Sequence, residues 1–274
     1  MYIVSCRKNF DSNINFAKEN QYRNYTNPNS PTAHQDIDLE RLRKAAAGKH
    51  VCVLVHGFNN PIENVTKSYW ELVTGLDQPG LNGPTGYGLV IGFTWPGSRT
   101  AAGYFGAVPK AMKSAPYLRD LVNALRTTAM TVDVQTHSLG ARVALKALAD
   151  PKKVFVDNLL LTAPAVDNNI LEPGETFAES PSACNRCFVY FSRKDPVLAG
   201  SFWIGDMLDG IHPALGLNGP KDQKITQEKT PNVYVVDCSR RVTSHGGYRQ
   251  TPQYFEHWKE VLSGAPMSRN DELS

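Results

Sequence analysis

Residues 131–145 have the sequence TVDVQTHSLGARVAL, and this stretch decides the fold. A β-rich run leads into Ser138 and helical spacing follows at once, so a strand is predicted to meet a helix there. Such a sharp turn needs small residues two positions either side of the serine. Gly140 meets that need, while Thr136 stands where glycine is usual. Ser138 is therefore a candidate nucleophile, and the alternative is a serine that only caps the helix.

The stretch His-Gly-Phe-Asn-Asn at 56–60 follows an apolar, β-rich run at 50–55. Gly57 lets the chain turn closely, so the amide of Phe58 would point to the same place as the amide of Leu139. Two backbone donors aimed at one point form an oxyanion hole. We expect His56 to be a structural histidine, hydrogen-bonded within this loop.

Strand-like and helix-like segments alternate along the chain. We predict a short first strand at 2–6, a polar surface segment over 8–37, further strands at 88–93, 154–161, 187–191 and 232–236, and helices at 61–76, 114–127, 139–148 and 252–262. Ser114 is a plausible cap of the helix over 114–127, with Pro116 in its first turn. This alternation predicts a mainly parallel sheet covered by helices on both faces. Reactive groups in such sheets follow the carboxyl ends of the strands.

Two further polar residues follow predicted strands. Asp195 comes just after the strand at 187–191, and His245 lies in a loop after the last strand. A serine hydroxyl needs a base to take its proton, and an acid orients that base. The alternatives are that Asp195 forms the turn before Pro196 and that His245 is an ordinary loop histidine. Asp167, which follows the strand at 154–161, is the alternative acid.

Over about residues 48–263 the chain resembles the α/β-hydrolase superfamily. More narrowly, it resembles a bacterial esterase/lipase-like family, much of which has no assigned function. The segments that carry the resemblance are VLVHGFNN (53–60), GFTWPGS (92–98), THSLGARV (136–143), LLLTAPAVD (159–167), FSRKDPVL (191–198) and SHGGY (244–248).

The resemblance implies one α/β-hydrolase domain over residues 1–274, with a mainly parallel sheet, helices on both faces and a small or absent cap. Residues 1–47 would form the N-terminal strand and polar segment. The implied roles are nucleophile for Ser138, acid for Asp195, base for His245, and oxyanion donors for Phe58 and Leu139. We expect a serine carboxylesterase that works through an acyl-enzyme. The alternatives are an acyltransferase with the same triad and a non-catalytic binding protein of the same fold.

The connection at 196–231 is long and carries apolar residues at 202–204, 207, 208 and 211, so it is a candidate lid over the acyl pocket. The alternative is a short helix packed on the core. The candidates for the substrate pocket are Asn59, Trp95, Trp203 and Ile204.

Composition and charge exclude several classes of partner. The net charge is +3 with scattered basic residues, which argues against nucleic acid, and no apolar run is long enough to span a membrane. The first residues do not resemble a signal peptide, so we expect a cytoplasmic protein unless a leader was removed. Five cysteines argue against a disulfide framework, and the lone Cys184-x-x-Cys187 is a weak zinc signal. We expect no metal or organic cofactor and a small-molecule ester as substrate; the oligomeric state stays open.

Overall fold

The structure is a computed structural model that describes residues 1–27, 33–58, 60–97, 104–200 and 212–274. These residues contain ten strands, namely β1 (Tyr2–Arg7), β2 (Phe16–Tyr25), β3 (His34–Ile37), β4 (His50–Val55), β5 (Tyr87–Thr94), β6 (Thr131–His137), β7 (Val156–Thr162), β8 (Cys184–Phe191), β9 (Val233–Asp237) and β10 (Asn270–Glu272). They also contain eight α-helices, namely α1 (Leu39–Ala46), α2 (Ile62–Leu76), α3 (Tyr104–Arg126), α4 (Gly140–Ala147), α5 (Pro196–Gly200), α6 (Leu215–Asn218), α7 (Gln223–Lys229) and α8 (Pro252–Ser263).

All ten strands form one sheet in the order β10-β9-β8-β7-β6-β4-β5-β1-β2-β3. Neighbours from β10 to β1 run parallel, and only the β1–β2 and β2–β3 pairs are antiparallel. The central strands are nearly continuous apolar runs, as in β4, where five of six residues are buried. Such runs are expected of parallel strands covered on both faces. Helices α1, α3 and α4 pack together, and α2 packs with α8. The predicted α/β fold with a mainly parallel sheet is therefore confirmed.

The order of the strands reverses at β4. The next strand along the chain, β5, lies on one side of β4, and β6 lies on the other side. In open α/β sheets this arrangement opens a crevice at the carboxyl ends of the two strands that diverge. Residues 56–58 and Ser138 both lie at this crevice.

One prediction about local structure was wrong, and another was incomplete. Helix α3 begins at Tyr104, so Ser114 lies inside it and donates a hydrogen bond to the carbonyl oxygen of Lys110 at 2.8 Å. Buried Ala107, Ala111 and Ala115 continue the apolar stripe upstream, and packing of that stripe outweighs the helix-breaking effect of Pro116. The segment at 8–37 is more than a polar surface segment.

Strands β2 and β3 occupy much of that segment and form one edge of the sheet. Their residues are mostly half-buried or exposed, so an apolar alternation did not mark them. The pairing of β2 with β1 and of β3 with β2 supplies their backbone hydrogen bonds instead.

The cysteines form no disulfides, and all five are buried. Cys184 and Cys187 both lie on β8. In the described ranges there is no group of three or more side chains placed to hold a metal ion. No helix among those described is long and apolar enough to cross a membrane.

Candidate active site

Ser138 lies in a strained turn between β6 and α4. Its φ is +55°, in the left-handed region that non-glycine residues rarely adopt. Both of its backbone polar groups are held by the chain that follows β7. Its amide donates to the carbonyl oxygen of Thr162 at 3.0 Å, and its own carbonyl oxygen accepts from the amide of Ala165 at 3.1 Å. The surrounding structure thus imposes the strain, as is typical of functional sites.

The residues two positions either side of Ser138 fit the turn in different ways. A Cβ on Gly140 would lie 2.6 Å from the carbonyl oxygens of Val55 and His56, so only glycine lets α4 pack this closely on the end of β4. Thr136 is fully buried, and its hydroxyl donates to the carbonyl oxygen of Leu160 at 3.4 Å. The threonine is accommodated because its side chain points toward the neighbouring strand.

Gly57 brings the loop after β4 into contact with the serine. A Cβ at this position would come within 2.7 Å of Ser138 Cβ and 3.3 Å of Ser138 Oγ. A side chain here would therefore push the loop away from the hydroxyl. The absence of a side chain at Gly57 is what lets the loop at 56–60 approach Ser138.

Asp195 and His245 are joined by a short hydrogen bond. Nδ1 of His245 lies 2.7 Å from Oδ2 of Asp195, whose side chain is fully buried. The other carboxylate oxygen accepts the amides of Val197 and Leu198, both at 3.0 Å. Burial would raise the pKa of the Asp195 carboxyl, but the hydrogen bond and charge of His245 and these two amides outweigh it and hold the pKa below its ordinary value.

The carboxylate that meets the His245 ring is thus that of Asp195. The alternative acid, Asp167, lies after β7, where its backbone forms an isolated bridge with Ala214.

His137 brings the His245 loop to the serine turn. Nε2 of His137 lies 2.8 Å from the carbonyl oxygen of His245, and the two ring centroids are 4.6 Å apart. Burial lowers the pKa of His137 to about 3, and the charge of His245 acts in the same direction. The ring is therefore neutral at pH 7, and its Nε2–H donates to the carbonyl. Sequence reasoning did not single out His137, although it directly precedes Ser138.

The hydroxyl of Ser138 makes no hydrogen bond within the described residues, and the side chain of His245 is not bonded to it. The serine is 8% exposed. No acceptor among the described residues therefore competes for the hydroxyl proton of Ser138. Within the same part of the chain, no acceptor takes the amide of Leu139 at the start of α4. Phe58 is half-buried and packs against the core.

His56 and Trp95 pack together in the interior, beneath the loop that follows β4. Their rings stack with centroids 5.4 Å apart, and Trp95 Nε1 donates to the carbonyl oxygen of His56 at 2.9 Å. Trp95 is fully buried, so its contacts are with the His56 loop. The other candidates for the pocket, Asn59, Trp203 and Ile204, lie outside the described residues, as do Phe202, Met207, Leu208 and Ile211 of the candidate lid.

Residues 31–254 match a family model described as "Alpha/beta hydrolase of unknown function (DUF900)". The chain belongs to this α/β-hydrolase family. None of the curated protein sequences resembles this α/β-hydrolase closely enough to count as a relative.

Several solved structures are similar to it. The Pyrococcus furiosus esterase Pf2001 is 14% identical over 80% of this chain and 83% of that one, with a TM-score of 0.38. A protein of unknown function from Agrobacterium tumefaciens, ATU1826, is 11% identical over 89% and 90% of the two chains, with a TM-score of 0.43. A Pyrobaculum calidifontis esterase is 14% identical over 89% and 80%, with a TM-score of 0.41.

Proposed function

We propose that this α/β-hydrolase cleaves carboxylic esters through an acyl-enzyme formed on Ser138. The observation that carries the proposal is the 2.7 Å hydrogen bond between Asp195 and His245. His137 holds the loop that contains His245 beside the strained turn at Ser138. A buried carboxylate, an imidazole and a hydroxyl at neighbouring strand ends are the groups that nucleophilic acyl transfer needs.

Asp195 sets the tautomer of the base. An ionised carboxylate only accepts hydrogen bonds, so Nδ1 of His245 carries the proton and Nε2 keeps its lone pair. Because the pKa of Asp195 is held low, its carboxylate stays ionised at neutral pH and stabilises the imidazolium that forms during the reaction.

In the first half-reaction Nε2 of His245 takes the proton from Ser138 Oγ as that oxygen attacks the acyl carbon. Negative charge develops on the acyl oxygen, where the amides of Leu139 and Phe58 would donate to it. Collapse of the tetrahedral intermediate breaks the ester C–O bond, and the departing alcohol takes the proton from His245. Water then attacks the acyl-enzyme with His245 as base, which releases the carboxylic acid and restores Ser138.

The test is labelling with a fluorophosphonate, followed by identification of the modified peptide and by turnover of p-nitrophenyl esters. We expect the label on Ser138. Ser138→Ala should lose both labelling and turnover, by on the order of 10³-fold or more, because a triad acts as a unit. Ser114→Ala is the matched control, since Ser114 is also buried but lies inside α3. Labelling elsewhere, or most of the activity in folded Ser138→Ala, would refute the nucleophile.

A comparison of acceptors separates the alternatives. If the wild-type protein transfers the acyl group to an added alcohol or amine much faster than to water, the same residues serve an acyltransferase. If it neither takes the label nor turns over any ester in a chain-length series, a non-catalytic binding protein is favoured.

A further inference from the structure

Arg7 is a buried cation with no acidic partner. Its side chain has no exposed surface, and no carboxylate among the described residues forms an ion pair with it. One terminal nitrogen, Nη1, donates to Asn13 Oδ1. The other, Nη2, donates to the carbonyl oxygen of Asn60 at 2.7 Å and lies 3.1 Å from His56 Nε2. All three partners are neutral.

A buried charge without a counter-ion is costly, and an apolar residue of similar size would serve stability at least as well. The pKa of Arg7 is lowered by burial to about 10, so the side chain is still charged at neutral pH. Burying this charge therefore lowers the stability of the fold, and we look for the role of Arg7 in function.

The backbone at the end of β1 is irregular next to the Arg7 guanidinium. The register between β1 and β2 shifts between Ser5 and Arg7, and such bulges re-aim side chains near functional sites. Asn9 and Phe10 then take left-handed φ values of 53° and 70°, which turn the chain back. This turn brings Asn13 to the guanidinium.

Arg7 contacts His56 and Asn60, which precede and follow Phe58 in the sequence. Nδ1 of His56 is 2.7 Å from the carbonyl oxygen of Gly57, which only accepts, so Nδ1 carries the proton. Nε2 of the same ring is then the acceptor that Arg7 Nη2 and the amide of Trp95 approach at 3.1 Å and the hydroxyl of Thr94 approaches at 3.0 Å. Arg7 thus holds the loop through the His56 side chain at its start and the Asn60 carbonyl at its end.

We propose that Arg7, through His56 and Asn60, is a positioning residue for the loop that carries the Phe58 amide, and that its positive charge favours the negative charge that forms on the acyl oxygen. The inference rests on the proposed function. Since that negative charge exists only in the transition state and the tetrahedral intermediate, Arg7 acts on kcat more than on KM. It acts through the loop and through the low-dielectric interior, without touching the substrate.

The experiment compares Arg7→Met, Arg7→Lys and a matched control, Arg186→Met. Arg186 is half-buried, and it donates to Asn158 Oδ1 at 3.0 Å and to the carbonyl oxygen of Val261, away from the crevice. For each folded variant, kcat and KM for a p-nitrophenyl ester are measured, together with the Ki of a trifluoromethyl ketone, whose adduct with the serine is an oxyanion.

We expect kcat of Arg7→Met to fall on the order of 10²-fold, the size of losing one oxyanion donor, with KM little changed. The Ki of the ketone should rise in proportion. Arg7→Lys keeps the charge but loses the planar fork, so it should recover part of kcat. Arg186→Met should keep both kcat and Ki.

If the wild type is active and folded Arg7→Met has the same kcat and Ki, the inference about Arg7 is wrong while the proposed function stands. If Arg7→Met does not fold, Arg7→Lys decides, because wild-type kcat in that variant would overturn the positioning role. A wild-type protein without labelling or turnover would refute the proposed function and this inference with it.

Discussion

At the residue scale, the site depends on two backbone positions that few side chains tolerate. Ser138 is held at a φ of +55°, and Gly57 leaves no room for a Cβ next to it. The two positions are coupled because the loop and the turn touch each other there. The proposed catalysis through Ser138 should therefore respond sharply to one added methyl group at position 57.

We predict that Gly57→Ala lowers kcat/KM by on the order of 10²-fold, because a shift of about 1 Å in positioning groups can have that effect. The methyl group would displace either the Ser138 side chain or the loop that carries the Phe58 amide. Steady-state kinetics with a p-nitrophenyl ester measure the loss. Gly106→Ala in α3 is the control, since a Cβ there meets nothing within 4 Å. Wild-type kinetics in folded Gly57→Ala would contradict the close approach.

At the element scale, a buried hydrogen-bond network ties four elements together at the end of the sheet opposite the site. Asp133 on β6 accepts from the hydroxyl of Tyr87 on β5 at 2.6 Å and from the amide of Asn158 on β7 at 2.9 Å. Trp258 on α8 donates to the same tyrosine hydroxyl at 2.9 Å. The network joins β6, which leads into the Ser138 turn, to β5, β7 and α8, and it lies near the start of β6, away from that turn.

Tyr87→Phe should destabilise the fold by about 2–4 kcal/mol, because it removes one donor from the Asp133 carboxyl and the acceptor of Trp258 Nε1. Urea unfolding measures the change. The kcat of the folded variant should stay within about twofold of wild type, since the site lies at the other end of the strands. Tyr234→Phe provides the comparison, because its hydroxyl makes no hydrogen bond among the described residues. Equal stability of the two variants would argue against the network.

At the scale of the whole molecule, three buried histidines make the fold sensitive to acid. Burial lowers the pKa of His137 to about 3 and that of His257 to about 4, and it holds that of His56 well below 6.5. Below pH 6.5 the unfolded chain therefore binds protons that the folded chain does not, and stability falls as the pH falls. Asp133 opposes this, because burial raises its pKa to about 6 and the folded state binds its proton first.

With three groups acting one way and one the other, the free energy of unfolding should fall by about 3 kcal/mol per pH unit between pH 6 and pH 4. Urea unfolding at several pH values measures this slope. His257→Gln removes one of the three groups, so its slope should be smaller by about 1 kcal/mol per pH unit. An unchanged slope in that variant would mean that His257 is not neutral in the folded protein.

Much of this protein could be predicted from sequence because the signals are local. The apolar runs of β4 and β6 and the strand-to-helix change at Ser138 follow from short-range periodicity and turn chemistry, and Asp195 and His245 were candidates because each follows a predicted strand. The parallel sheet follows from the alternation of such runs with helices. These features need no knowledge of which distant residues meet.

Tertiary structure alone decided the rest, because it depends on pairing between residues far apart in the chain. The contact of Asp195, rather than Asp167, with His245 required β8 and β9 to lie side by side. The half-exposed strands β2 and β3 could be recognised only through the pairing of β2 with β1 and of β3 with β2. Arg7 lies 49 residues from His56, and nothing in its local sequence marks it as a buried cation that contacts this histidine. Its environment exists only once β1 and β4 are placed on either side of β5, which long-range packing determines.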